Sequence, residues 1–308
     1  MPHKTILSLA LALALAAPAL AQPAQDAESA AARGQTSLTY NNSRPTLAAA
    51  DKTPLQAKAI RLRDMILATP ALADPRGFGL SASAVLERPV ASRAGDPDMA
   101  WGNIISRRIV VSRSRPDAAG RYPGDGEGPM IRFAINKLDF AFGRADPAGF
   151  YELPQGVQAQ PGMMRFPRSG SDYVLITPPG MLAYVPVSIG EYLRSQADFY
   201  QKDGTPELVA RINAALAPLS PAEQAMPYCM SSQFFIDELR TRCSHRTARP
   251  MVRLNPALKA GSGAATKARI IVLSSMPLSK TGDDQERRRL LTAFSQLDMN
   301  AVQALLKD

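Results

Sequence analysis

Histidine is almost absent from this chain. Of 308 residues only His3 and His245 carry an imidazole. A Ser-His-Asp or Cys-His mechanism would rest on His245 alone, and the G-x-S-x-G elbow that presents a nucleophilic serine is missing. Gly261-Ser262-Gly263 lacks that spacing. The glycine-rich phosphate loops are missing too, with neither G-x-x-x-x-G-K-[ST] nor G-x-G-x-x-G. Nucleotide chemistry is therefore not expected, and the expectation for cofactors is none.

Cysteine is just as scarce. Cys229 and Cys243 are the only two. With a single neighbouring histidine they cannot form an ordinary zinc site. The one acidic glycine-rich stretch, Gly124-Asp125-Gly126-Glu127-Gly128 with Asp117 upstream, lacks the ligand series of a calcium loop. It reads as a mobile hairpin loop, and no metal site is expected.

Negative charge is in the minority. Asp and Glu number 27 against 36 Lys and Arg, for a formal charge of +9. Arginine dominates the excess, 27 to 9 over lysine. The compartment decides what such a charge meets, and the first 21 residues read as an address. Lys4 is positive, Ile6 to Ala17 is apolar, Pro18 breaks the run, and Ala19-Leu20-Ala21 forms an A-x-A cleavage site before Gln22. This is the pattern of a secretory signal peptide. Its apolar run of about a dozen residues falls short of the roughly 20 needed to span a bilayer. No cysteine follows the cleavage site, so the expectation is a periplasmic or extracellular protein, not a lipoprotein, with no transmembrane segment after cleavage. In that setting nucleic acid is not an expected partner. An anionic envelope component or a protein partner fits better.

Export also bears on the cysteines. In an oxidising compartment an isolated pair forms a disulfide. A straight helix over 229–243 would hold the two Cα atoms about 21 Å apart, far beyond the roughly 7 Å a disulfide tolerates. Either the segment folds back or the thiols are free; the fold-back is expected, with a short helix Gln233 to Arg240 inside the loop.

Residues 22–50 are Ala, Gln, Ser, Asn and Pro with little apolar bulk, and read as a flexible leader. Residues 51–308 read as a single α+β domain, β-rich over 77–187 and helix-rich over 188–308. Thr53-Pro54-Leu55-Gln56 opens a helix whose Leu55, Ala59, Leu62 and Ile66 share a face. Strands are expected over Phe78–Leu86, Trp101–Val111 and Met130–Phe142, the last with a bulge or tight turn at Asn136-Lys137. Tyr173–Ile176 and Leu182–Val185 flank Thr177-Pro178-Pro179-Gly180 as an expected hairpin. Ser188, Thr205 and Ser220 each begin a helix. Met251–Leu254 and Ala268–Leu273 are strand-like around a Lys259–Thr266 loop. A helix from Asp283-Asp284 and a last one capped by Asp298 close the chain. The resulting fold class is α+β, an antiparallel sheet of four to six strands packed by C-terminal helices.

Few residues announce chemistry. Asp139, between apolar neighbours in an expected strand, is a candidate buried acid. Arg107, Arg113 and Arg115 share pleat parity and would form an anion-binding row if their strand continues. Arg287-Arg288-Arg289 splays around a helix and cannot act as one patch. The function expected is non-catalytic binding of an envelope polymer, an anionic surface or a protein partner. The alternative is a carboxylate-dependent hydrolase of envelope glycan or peptide.

Overall fold

The computed structural model describes residues 26–42, 49–87, 98–137, 139–143, 146, 149–230, 242–244, 248–258, 267–276 and 284–307. The expected signal peptide, the Gln233–Arg240 helix, His245 and the Lys259–Thr266 loop lie outside them. A short helix α1 (Ala27–Ala31) precedes strand β1 (Thr36–Asn42); α2 (Ala49–Leu67) and α3 (Pro70–Ala73) follow. The chain then forms β2 (Phe78–Glu87), β3 (Met99–Arg108), β4 (Met130–Ile135) and the single turn α4 (Asp139–Phe142). Next come β5 (Tyr151–Glu152), β6 (Gln158–Gln160), β7 (Met163–Arg168), β8 (Ser171–Ile176) and β9 (Tyr184–Pro186). Three helices run in succession, α5 (Ile189–Asp203), α6 (Pro206–Leu216) and α7 (Pro221–Gln224). Strands β10 (Cys229–Met230), β11 (Arg249–Leu254) and β12 (Ile271–Met276) lead to α8 (Asp284–Gln296) and α9 (Met299–Ala304).

Mixed α+β architecture with a mostly antiparallel sheet and packed C-terminal helices is what the sequence predicts. The main sheet is larger than expected, with eight strands in the order β1-β2-β3-β4-β12-β8-β7-β6. A smaller sheet is built on β11, which pairs with β10, β5 and β9. One face of the main sheet carries the principal core. Leu80, Ala84, Ile104, Phe133, Ile135 and Leu273 meet Leu55, Leu62 and Ile66 of α2 there, and Leu290, Phe294 and Val302 of α8 and α9. The opposite face packs Tyr173, Leu175 and Val272 against Phe142, Tyr151 and Val252, the last two from the small sheet. A third core joins α5 and α6 through Ile189, Leu193 and Ile212 to Phe150, Tyr228 and Met251.

Several expectations change. The 22–50 leader is not wholly flexible: within it β1 pairs in parallel with β2, Thr36 opposite Leu80 through Asn42 opposite Leu86. Its Ser, Thr and Asn composition hides the strand because an edge strand buries little. Helix α2 begins at Ala49, a turn before the Thr53-Pro54 signal, and Pro54 lies inside it. At this sixth helical position the proline has no N–H to give the Ala50 carbonyl, so the helix forgoes that bond. The strand at Trp101 ends at Arg108, and Val111–Arg113 is one 3-10 turn. Its core face is the even one, with Ala100, Ile104 and Ser106 fully buried. Gly102 belongs to that face because a Cβ there would strike the Phe133 ring and the Ser83 carbonyl.

The Asn136 turn is present, with φ +60°, but α4 replaces the strand expected beyond it. Asp139 therefore sits in a helical turn, and the pleat argument for a buried acid does not hold. The Thr177–Gly180 turn does not close a hairpin. It carries the chain from β8 in the main sheet to β9 in the small one. The hairpin is instead β7–β8, Arg168 opposite Ser171, around Ser169 and Gly170 at φ 50° and 77°. The glycine-rich loop after Asp117 is tied down: Asp125 N–H donates to the Arg108 carbonyl (2.9 Å) and Tyr122 N–H to that of Arg33 (2.8 Å).

The helix starts stand as read. Ser188 Oγ accepts from Glu191 N–H (3.2 Å), Ser220 and Glu223 complete a reciprocal capping box, and Asp298 caps α9. Arg289 lies over the Phe78 ring at 3.7 Å, whereas Arg287 and Arg288 are exposed, which is the splay expected. Cys229 and Cys243 are bonded, with Cα atoms 5.2 Å apart. Among the described residues no helix is long and apolar enough to cross a membrane.

Candidate functional site

The arginines singled out from sequence do not come together as a row. Because β3 stops at Arg108, the parity shared by Arg107, Arg113 and Arg115 no longer places them on one pleated face. Arg107 is half-buried and its guanidinium donates to Ser81 Oγ. Arg113 faces Asp125 across 3.5 Å at the surface. Arg115 is exposed.

Another basic residue occupies a more central place. The register sets Thr39, Ser83, Asn103, Arg132, Ser274 and Tyr173 side by side across six strands, on the face away from α2. Ser83 Oγ bonds Asn103 Oδ1 (3.0 Å), and the Arg132 guanidinium lies 4.4 Å over the Phe140 ring. Within the row Ser83 and Asn103 bond each other, while Arg132 is engaged by Phe140 outside it. The row was invisible in sequence because its members are spread over more than 200 positions and meet only through strand pairing.

Among the described residues a surface with room for a ligand lies at the far end of the main sheet. Helix α8 packs over β3, β4 and β12, and the last three strands run out beyond it. Gln158, Arg165 and Val174 stand in register across β6, β7 and β8 and lie along one side of the resulting groove. Leu291, Phe294 and Leu297 of α8 and its C-terminal end, with Met299 of α9, provide an apolar wall. Arg165, Asp172 and Ser295 supply polar groups, all three exposed. The volume is about 550 Å³, within the range of small-ligand sites. Helix α9 is tied to the β6–β7 and β8–β9 turns by Gln303, whose Nε2 donates to the Thr177 carbonyl (2.9 Å) and the Gly162 carbonyl (3.2 Å).

The wall follows from an imperfect amphipathic helix. Leu290, Ala293 and Leu297 face the core, while Leu291 stays 36% exposed. This is the one groove signal the sequence held, and it went unread because single exposed leucines are common.

Chemically the groove is an apolar trough with one cation and one anion. Asp172 is the only acid among its lining residues. Among the described residues no group of three or more His, Cys, Asp or Glu is placed to hold a metal ion. No family model matches the chain, and searches of curated proteins and of solved structures return no match.

Proposed function

We propose that this is an exported cell-envelope protein that binds, without catalysis, an extended segment of a protein partner in the groove between β6–β8 and α8–α9. The observation that carries the reading is the apolar wall of Leu291, Phe294, Leu297 and Met299 facing Arg165 and Asp172 across an open trough. A peptide supplies apolar side chains and charges of both signs within a few residues, which is what this lining complements. An anionic polymer calls for several cations in line, and Arg165 is the one cation in this lining, which also holds the acid Asp172. A hydrolase with paired carboxylates calls for a second acid facing Asp172, and none lines the groove.

Export is supported by the leader pattern around Lys4, Ile6–Ala17 and Ala19-Leu20-Ala21. The Cys229–Cys243 bond fits an oxidising periplasmic or extracellular setting.

Selection of a displayed random-peptide library on the purified protein tests the site. Recovered peptides should carry apolar residues and bind roughly tenfold less to Leu291→Glu, a loss of about 1.4 kcal/mol. Met226→Glu, at an exposed apolar position after α7, should leave them bound. Peptides indifferent to Leu291→Glu, or none recovered, would count against the groove. Mass analysis of the envelope fraction should find a chain beginning at Gln22; an intact Met1 terminus there would overturn cleavage, and absence of the protein from that fraction would overturn export.

A further inference from the structure

We propose that β1 pairs with β1 of a second copy of this chain, antiparallel about Thr39, so that two main sheets join edge to edge. The two edges of the main sheet differ. At β6 the edge strand has three residues and is followed by the Pro161-Gly162 turn, which are devices that discourage further pairing. At β1 the edge has seven residues, Thr36-Ser-Leu-Thr-Tyr-Asn-Asn42, with no charge, no proline and no bulge against β2. Among the described residues β1 has β2 as its strand partner. Just before β1 the outward groups of Gly34 and Ala32 are taken by the Pro75 carbonyl and the Gly77 amide. Leu38 is 54% exposed and Tyr40 36%.

The occupant follows from register. Leu80 N–H donates to the Gln35 carbonyl (2.8 Å), and Thr36 stands opposite Leu80. Odd residues of β1 therefore turn their main-chain groups toward β2. The amides and carbonyls of Thr36, Leu38, Tyr40 and Asn42 point to the open side. A two-fold axis at Thr39 sets Leu38 opposite Tyr40 of the second copy and Thr36 opposite Asn42, each a hydrogen-bonded pair of such outward residues. About eight main-chain hydrogen bonds result. Leu38 and Tyr40 then form aliphatic–aromatic cross-strand pairs on one face, and Thr39 meets its own copy in a non-hydrogen-bonded pair. The segment is complementary to itself in the one register that matches both its outward amides and its apolar side chains. The contact is small for a protein interface, so the association is weak and concentration-dependent.

Cysteine scanning tests the register, since Cys229 and Cys243 are bonded and leave no free thiol among the described residues. In Thr39→Cys the two new Cα atoms lie about 4.5 Å apart, inside the disulfide range. Diamide should convert the protein to a covalent dimer. In Ser37→Cys the thiols sit about 14 Å apart and should stay monomeric. In sedimentation over a roughly hundred-fold concentration range the unmodified protein should rise toward twice the monomer mass. Leu38→Pro, which removes one outward amide and leaves the β2 side bonded, should not. Far-UV circular dichroism checks that this variant is folded. A monomer at every concentration with no Thr39→Cys cross-link overturns the proposal, as does equal cross-linking at positions 37 and 39.

Discussion

Asn136 and Ile270 are bound to each other twice. The Asn136 amide donates to the Ile270 carbonyl at 2.9 Å, and Asn136 Oδ1 accepts from the Ile270 amide at 3.3 Å. The same oxygen accepts from Arg269 N–H (2.7 Å), and Nδ2 donates to the carbonyls of Asp98 (2.9 Å) and Lys267 (2.8 Å). One side chain thus ties the entries of β3 and β12 to the end of β4. Asn136→Gly keeps the φ of +60° and removes the carboxamide, and should cost about 1–3 kcal/mol. Asn136→Ala adds left-handed strain and should cost about 1 kcal/mol more. Urea unfolding of the three proteins checks the order; equal stabilities would show that the carboxamide bonds contribute nothing.

Gly102 yields a second expectation. A Cβ there meets the Phe133 ring and the Ser83 carbonyl, so Gly102→Ala should destabilise by about 1–3 kcal/mol through overpacking. Phe133→Leu should itself be destabilising, yet the double variant should lose less than the sum of the two. The rescue is partial because the Ser83 carbonyl is backbone and stays in place. Strict additivity in thermal melts would refute the ring clash.

The Cys229–Cys243 bond closes a loop of sequence separation 14. Chain entropy values such a cross-link at about 3 kcal/mol. The Cys229→Ser, Cys243→Ser double variant should unfold at correspondingly lower urea, and reductant should shift the wild type but not the variant. A native protein that labels with a thiol reagent before reduction contradicts the bond.

Alkaline pH should reveal the Tyr192–Tyr228 stack, whose ring centroids lie 3.8 Å apart. Burial pushes the Tyr192 phenol well above the ordinary tyrosine range, with Tyr228 and Asp146 adding to the shift. The folded pKa is raised above the unfolded one. The stability this linkage supplies is therefore complete below about pH 10 and lost as pH climbs from there through the folded value. Ultraviolet titration at the phenolate band should show Tyr192 ionising later than an ordinary tyrosine, and Tyr192→Phe should lower the late-ionising set by one residue. If all tyrosines of the folded protein ionise together near pH 10, the burial argument fails.

Local grammar was readable in the chain and long-range pairing was not. The heptad-like spacing of Leu55, Ala59, Leu62 and Ile66 named a buried face, and all four are at most 1% exposed. Ser188, Ser220 and Asp298 announced their helices because a cap is a bond between near neighbours. By contrast, nothing near Ile271 says that β12 lies between β4 and β8, about 140 and 100 residues away in the chain. The Thr177–Gly180 turn misled for the same reason: two apolar runs flank it, yet each finds its partner elsewhere. The Arg107, Arg113, Arg115 row failed on a single 3-10 turn that ended the strand early. The groove was illegible because it exists where two distant elements stop short of covering each other.

The insertion of β12 has a consequence for how the protein is made. A chain delivered from its N-terminus presents β4 and β8 long before their shared neighbour arrives. Until residue 276 emerges, both carry open, apolar-flanked edges and the sheet stays in two halves. Assembly is therefore a late event, governed by the last tenth or so of the chain, and a product truncated before Ile271 should be insoluble or degraded rather than merely less stable.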